Sequence, residues 1–181
     1  SPKLTGQGKE SLLTKWQHAG VTIAEHPYLS YAYRIENAEG IFGLAGFAEG
    51  QVTVQDVSSM LVCEAAGIKA GDKVIDVCAA PGGKSVHAAE KLQGTGKVSA
   101  RDLTEYKVSL IRDYIDRMQL NNIEALVWDA CKLREEDVET ADVVLADLPC
   151  SGLGIMSKKK DIRYHATKQG LSDLAALQRE I

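Results

Sequence analysis

Four acidic residues, Asp76, Asp102, Asp129 and Asp147, each stand at or just beyond the end of a short apolar run. One Asp after a strand is commonplace as a helix cap or turn residue. Four in register on successive strands are hard to read as caps. Carboxylates so placed accept hydrogen bonds from a ribose, from a base amino group and from a substrate. In an open α/β sheet, ligands sit outside the carboxyl ends of the strands, so this edge is the expected site.

The segment Asp76-Val77-Cys78-Ala79-Ala80-Pro81-Gly82-Gly83-Lys84 is the most informative stretch of the chain. Gly82 and Gly83 let backbone approach a ligand, and the helix after them offers free N–H groups. Two phosphate-binding patterns fail here. A P-loop requires a glycine five residues before Gly83, where Cys78 stands, and no GxGxxG spacing is present. What remains suits a ligand with a small carboxylate and a ribose rather than a pyrophosphate. Further on, Asp147-Leu148-Pro149-Cys150-Ser151-Gly152-Leu153-Gly154 holds a Pro-Cys pair on a turn. That arrangement points a thiol into the cleft; the alternative is a buried structural cysteine.

These residues need a scaffold, and the chain from Gly71 onward supplies a strand–loop–helix rhythm. Strands are expected at Lys73–Val77, Lys97–Ala100, Ala125–Trp128 and Val143–Ala146, with helices at Ser85–Leu92 and Lys107–Met118 and a charged helix or loop at Leu133–Val138. The alternation predicts βαβ units and a parallel sheet with helices on its faces. Before it, residues 10–19 have helical spacing ended by Gly20, and Val21–Ile23 and Tyr31–Ile35 alternate like two strands separated by His26-Pro27. Gly43, Gly46 and Gly50 mark a change of texture that composition alone reads as a linker.

The 181 residues carry 21 Lys and Arg against 25 Asp and Glu, a formal charge of −4, which excludes a basic nucleic-acid clamp as the chain's general character. Cys63, Cys78, Cys131 and Cys150 have no CxxC spacing, so neither a zinc ribbon nor a disulfide framework is expected, and they read as reduced thiols of a cytosolic protein. His18, His26, His87 and His165 lack metal-ligand spacing and read as structural or surface residues, and Trp16 and Trp128 as core. No apolar run reaches the length of a membrane-spanning helix. Ser1-Pro2-Lys3 shows neither an initiator Met nor a signal pattern, as expected for an excised piece of a longer protein.

With these motifs laid out, the chain resembles the RNA (cytosine-5)-methyltransferases of the Nol–Nop–Sun family, most closely the bacterial Sun/Fmu branch. The resemblance is carried by residues 50–59 (GQVTVQDVSS), by Asp76–Lys84, by Asp147–Gly154, and by the tail Asp161-Ile162-Arg163-Tyr164-His165 with Leu177-Gln178. It spans residues 46–181. It implies a Rossmann-like methyltransferase fold of α/β class with a parallel central sheet, its carboxyl-terminal strands missing. Residues 46–181 would be the S-adenosylmethionine-binding domain, and residues 1–45 the end of a small α+β RNA-recognition-like subdomain. The segment 46–59 becomes a piece that packs beside the cofactor rather than a linker.

The resemblance also implies roles. Cys78, Ala79, Ala80, Pro81, Gly82, Gly83 and Lys84 would wrap S-adenosylmethionine, Asp102 would bind its ribose hydroxyls, and Asp129 would meet its adenine amino group. Asp147 would sit between cofactor and cytosine as the acid near ring nitrogen N3, with Lys84 tuning or positioning it. These enzymes add a cysteine thiolate to carbon 6 of cytosine so that carbon 5 can attack the methyl group. In the family that thiol belongs to a later Thr-Cys motif, which this sequence does not contain, and Cys150 assists resolution of the adduct. The expectation is therefore a fragment that binds cofactor without turnover, from a monomeric, cytoplasmic enzyme needing no metal. Its substrate would be ribosomal RNA of the small subunit, with tRNA the alternative.

Two rivals are distinguishable. An exocyclic-amine methyltransferase wants an aromatic residue to stack on the base where Cys150 stands. A non-catalytic RNA-binding module wants a basic surface, for which Lys158-Lys159-Lys160 with Arg163 and His165 is the one candidate.

Overall fold

In a computed structural model, residues 6–155 and 167–181 are described. The basic run Lys158–Lys160, with Arg163 and His165, lies outside them, as does Asp161–His165 of the tail.

The amino-terminal part is helix α1 (Gln7–His18) followed by the antiparallel pair β1 (Thr22–Glu25) and β2 (Tyr33–Glu36). Both strands begin one or two residues later than the alternation predicts, because Val21 and Ala32 are buried just ahead of the ladder. Leu12 and Trp16 lie one helical turn apart on α1 and pack with Val21 and Leu44 into a small core. Ile23, Ile35, Phe47 and Val52 close its margin.

The second part contains α2 (Val57–Ala65), β3 (Lys73–Asp76), α3 (Gly83–Lys91), β4 (Lys97–Asp102), α4 (Glu105–Met118), β5 (Ile123–Val127), β6 (Val143–Leu145) and α5 (Lys168–Glu180). Strand order is β5-β4-β3-β6, and each pairing is parallel. The expected parallel sheet is therefore present, flanked by helices, with β5 starting two residues earlier than expected and 133–138 holding only a 3₁₀ turn at Glu135–Asp137. Val74, Val98, Val86, Leu92, Val108 and Ile111 are fully buried between sheet and helices. The strands are not unbroken apolar runs, since β4 buries Ser99 and Arg101 between its apolar residues and Val144 of β6 is exposed.

Helix α4 begins at a Thr104 cap whose hydroxyl accepts from the Lys107 N–H, and it ends at Gln119 in the left-handed region. Its last turn holds the two parts together. The Arg117 guanidinium donates to Phe47 O at 2.8 Å and Val52 O at 3.1 Å, and it stacks on the Phe47 and Tyr114 rings. Thr53 and Tyr114 are hydrogen-bonded through their hydroxyls. Gly50 has φ of +68° and presses so closely on this turn that a Cβ would lie 2.1 Å from Arg117 O. The glycine-rich segment is thus a packed strap rather than a linker. A second tie joins the parts through Tyr31, whose hydroxyl donates to Glu64 Oε1 at 2.8 Å, while Glu64 is ion-paired with Lys91.

Candidate cofactor and substrate site

Because the four strands run parallel, all their carboxyl ends lie on one edge. Asp76 and Asp102 are the last residues of β3 and β4, and Asp129 and Asp147 follow β5 and β6 by two residues. After β5 the chain crosses to the other side of β3, so the switch in strand order falls at β3 and β6. The loops leaving those two strands are 77–82 and 146–152. They are the two motifs singled out from the sequence, and the crevice between them is where an open sheet binds ligands.

The first loop is fastened to the neighbouring strand. Ala79 N–H donates to Arg101 O at 2.8 Å, and Ala80 N–H donates to Asp102 Oδ2 at 3.0 Å. Gly82 turns the chain with φ of +109°, against α4, where a Cβ would meet Ile111 at 3.4 Å. The helix that starts at Gly83 has no side-chain cap, which leaves its first N–H groups without an intrahelical or capping acceptor. Gln55, from the strap, lies 3.8 Å from the position of a Cβ on Gly83.

Asp102 is almost wholly buried. Its Oδ1 accepts from Leu103 N–H at 2.8 Å and lies 2.9 Å from Lys107 Nζ. With Ala80 N–H these occupy three of the roughly four lone-pair positions of a carboxylate, leaving capacity for a further donor. Asp129 accepts from Cys131 N–H at 3.1 Å, and Lys132 Nζ lies 3.8 Å from its Oδ2. Trp128 N–H donates to Asp102 O at 3.0 Å, which holds the β5 exit beside the β4 end. Trp128 itself is half-buried under the Arg134 guanidinium rather than in the core.

On the other side of the crevice, Lys84 Nζ meets Asp147 Oδ2 at 2.6 Å. The structure therefore brings together two of the three residues expected to do chemistry. Cys150, the third, is exposed three residues further along the same turn. Pro149 O accepts from Gln178 Nε2 of α5 at 2.7 Å, so the two pieces of the sequence pattern around Pro149 and Gln178 meet in space. Burial and the nearby Asp102 and Asp76 charges push the Cys78 thiol up. Cys63, buried behind the loop, is pushed to about 12 and donates to Lys84 O.

Asp76 was visible in the sequence as a strand-end acid, but its environment was not. Only 1% of it is exposed, and its Oδ2 accepts from Ser85 Oγ at 2.6 Å. The Cys78 N–H also acts on this carboxyl, while Oδ1 is buried with no partner in hydrogen-bond geometry among the described residues. Burial raises its pKa to about 6 against the opposing pull of Ser85, Cys78 and Lys84. Orphaned carboxylate oxygen behind an open crevice is an acceptor that awaits a donor. A buried Ser nine residues after the acid was the available signal. Among the described residues no group of three His, Cys, Asp or Glu could hold a metal, and no helix is long and apolar enough to cross a membrane.

A family profile described as 16S rRNA methyltransferase RsmB/F matches residues 65–181, from the end of α2 through α5. The chain belongs to that family. The RsmB/F match covers both crevice loops, Asp76–Lys84 and Asp147–Gly154. Among relatives, the probable ribosomal RNA small subunit methyltransferase B of Bacillus subtilis is 42% identical over 142 residues, 78% of this chain and 32% of its own length. The ribosomal RNA small subunit methyltransferase B of Citrobacter koseri is 32% identical over 98% of this chain and 41% of its own length. The chain thus spans well under half of these RsmB/F relatives. The crystal structure of PH0851 is similar with a TM-score of 0.86 at 29% identity, over 94% of this chain and 39% of that one. NSun6 from Pyrococcus horikoshii, solved with SFG, gives a TM-score of 0.70 at 29% identity, over 79% of this chain and 36% of that one.

Proposed function

We propose that this chain is the cofactor-binding part of an S-adenosylmethionine-dependent enzyme that methylates carbon 5 of a cytosine in small-subunit (16S) ribosomal RNA. The observation that carries the reading is the acidic carboxyl edge, where Asp76 and Asp102 end β3 and β4 and Asp147 follows β6 by two residues, around an uncapped helix start. Membership of the RsmB/F family supports the substrate class.

The residues present fit S-adenosylmethionine. Asp102 keeps acceptor capacity for ribose hydroxyls, the first N–H groups of α3 at Gly83 and Lys84 suit its carboxylate, and Asp129, just beyond β5, is assigned to the adenine amino group. The buried, unpartnered Asp76 Oδ1 suits a cationic ligand that stabilises its charged form. When bound, the cofactor supplies an electrophilic methyl group. Asp147 hydrogen-bonds the cytosine ring near N3, and Lys84 fixes that carboxyl in place. Cys150 sits at the mouth, exposed to the base, and assists release of the covalent cytosine–cysteine adduct rather than forming it. Residues 46–181 form the cofactor domain on this reading, and residues 1–45 the end of an RNA-recognition-like subdomain.

The test uses RNA containing 5-fluorocytosine, which traps a thiol adduct at carbon 6. Incubated with cofactor and this RNA, the 181-residue chain is expected to yield no adduct on Cys150. An adduct mapped to Cys150 by mass spectrometry would make it the attacking thiol and overturn its assigned role. In a longer protein carrying these residues, radiolabelled methyl groups are expected in 5-methylcytidine. Label on an exocyclic amine would contradict the cytosine-5 reading.

A further inference from the structure

A second cavity, of about 340 Å³, lies away from the acidic edge, between the amino-terminal strands, the strap and α3. None of Asp76, Lys84, Asp102, Asp129 or Asp147 lines it. Trp16, Tyr31, Ile35, Leu44 and Met60 make its walls apolar and partly aromatic. Its polar groups include Gln55 and His87.

His87 is the anomaly. It is 4% exposed, and neither ring nitrogen has a hydrogen-bond partner among the described residues. Glu64 Oε1 lies 3.9 Å from Nε2, beyond hydrogen-bond reach. Tyr31 meets the imidazole edge-on at 5.5 Å between centroids. Gln55 Nε2 is likewise buried without a partner among the described residues. The Tyr33 hydroxyl, on the same cavity wall, is also buried without a partner among the described residues. Buried polar groups are normally satisfied, so three unsatisfied side chains lining one cavity point to a ligand.

We propose that this cavity binds a single planar, neutral heteroaromatic ring with alternating donors and acceptors, the chemistry of a nucleobase. The ring comes from an unpaired residue of RNA or from a free nucleoside. Burial holds His87 at about 4, so at neutral pH it is uncharged and offers an N–H donor on one ring nitrogen and a lone pair on the other. Gln55 adds an amide donor, and the aromatic walls provide stacking faces, the usual way unpaired bases are held. The acidic lining residue Glu90 and the nearby Glu64 disfavour a phosphate or carboxylate in the same space. The volume lies within the range of small-ligand pockets. The methyltransferase reading enters only in naming RNA as one source of the ring.

The test is a fluorescence titration on the full 181-residue chain carrying Trp128→Phe, which leaves Trp16 as the sole tryptophan. Adenosine, guanosine, cytidine, uridine and a short single-stranded RNA are added separately. At least one is expected to quench Trp16, and His87→Phe and Gln55→Leu should each weaken that binding about tenfold, the loss of one good hydrogen bond. Asp102→Ala, at the other site, should leave it unchanged. A nucleoside that suffices alone identifies a free-nucleoside site, and quenching seen only with the oligonucleotide identifies a base of RNA. Melting curves check that each variant folds, and Gln55→Leu carries the test if His87→Phe does not. Absence of quenching by every probe, quenching that survives both substitutions, or quenching lost in Asp102→Ala would overturn the proposal. Cofactor binding at the acidic edge is measured independently, so the two readings fail separately.

Discussion

Asp76 and His87 are both buried titratable groups, and their linkages run in opposite directions. Asp76 has a folded value near 6, above the ordinary 3.8, so its contribution to stability is present below about 3.8 and is lost as pH rises through 6. His87 has a folded value near 4, below the ordinary 6.5, so its contribution is present above 6.5 and is lost as pH falls through 4. Comparison of Asp76→Asn with the parent isolates the first effect, because His87 cancels. Without ligand, Asp76→Asn should be more stable above pH 7, by up to roughly 3 kcal/mol, and the gap should close towards pH 4. Thermal melts across that range check it, and a gap that widens on acidification would contradict the burial argument. Lys84 belongs to a different regime, since its partner Asp147 is mostly exposed. Lys84→Met should cost less than about 1 kcal/mol in stability. The same variant should nonetheless lose much of any methyl-transfer activity in a longer protein containing it, because the Asp147 carboxyl is no longer held.

Helices and strands of the parallel sheet were legible because apolar runs ended by acids alternate with amphipathic stretches. Helix α2 was not foreseen, since its apolar residues are spread round the helix and only Cys63 is fully buried. The charged stretch at 133–138 stayed ambiguous for another reason. Its one ordered turn is held by tertiary charge, with Asp137 ion-paired to the buried Arg101 at 2.6 Å. Nothing local in the sequence announces that pairing. Asp137→Ala should cost about 3–5 kcal/mol, because it leaves a buried guanidinium uncompensated. Denaturant unfolding measures this, and a loss under 1 kcal/mol would show that Arg101 finds water instead. The strap offers a sharper contrast between two glycines. Gly50→Ala places a Cβ against Arg117 O on a positive-φ residue and should cost at least about 2 kcal/mol, whereas Gly43, with open space around it, should tolerate Ala within about 0.5 kcal/mol.

At the scale of the molecule, two cores are joined by the Arg117 strap and the Tyr31–Glu64–Lys91 chain, and a separate cavity lies under that junction. The acidic edge was readable from the spacing of four Asp residues and two loop motifs. The junction was not, because it depends on residues about 65 positions apart meeting at the end of α4. The net charge of −4 fits this arrangement, since several carboxylates serve the crevice rather than the outer surface. The central claim is that the crevice at the carboxyl ends of β3, β4 and β6 holds S-adenosylmethionine. Calorimetric titration of the 181-residue chain with S-adenosylmethionine tests it most directly. The account predicts one site per chain, weakened at least about tenfold in a folded Asp102→Ala variant. No heat of binding by the parent, or equal affinity in the two proteins, would contradict it.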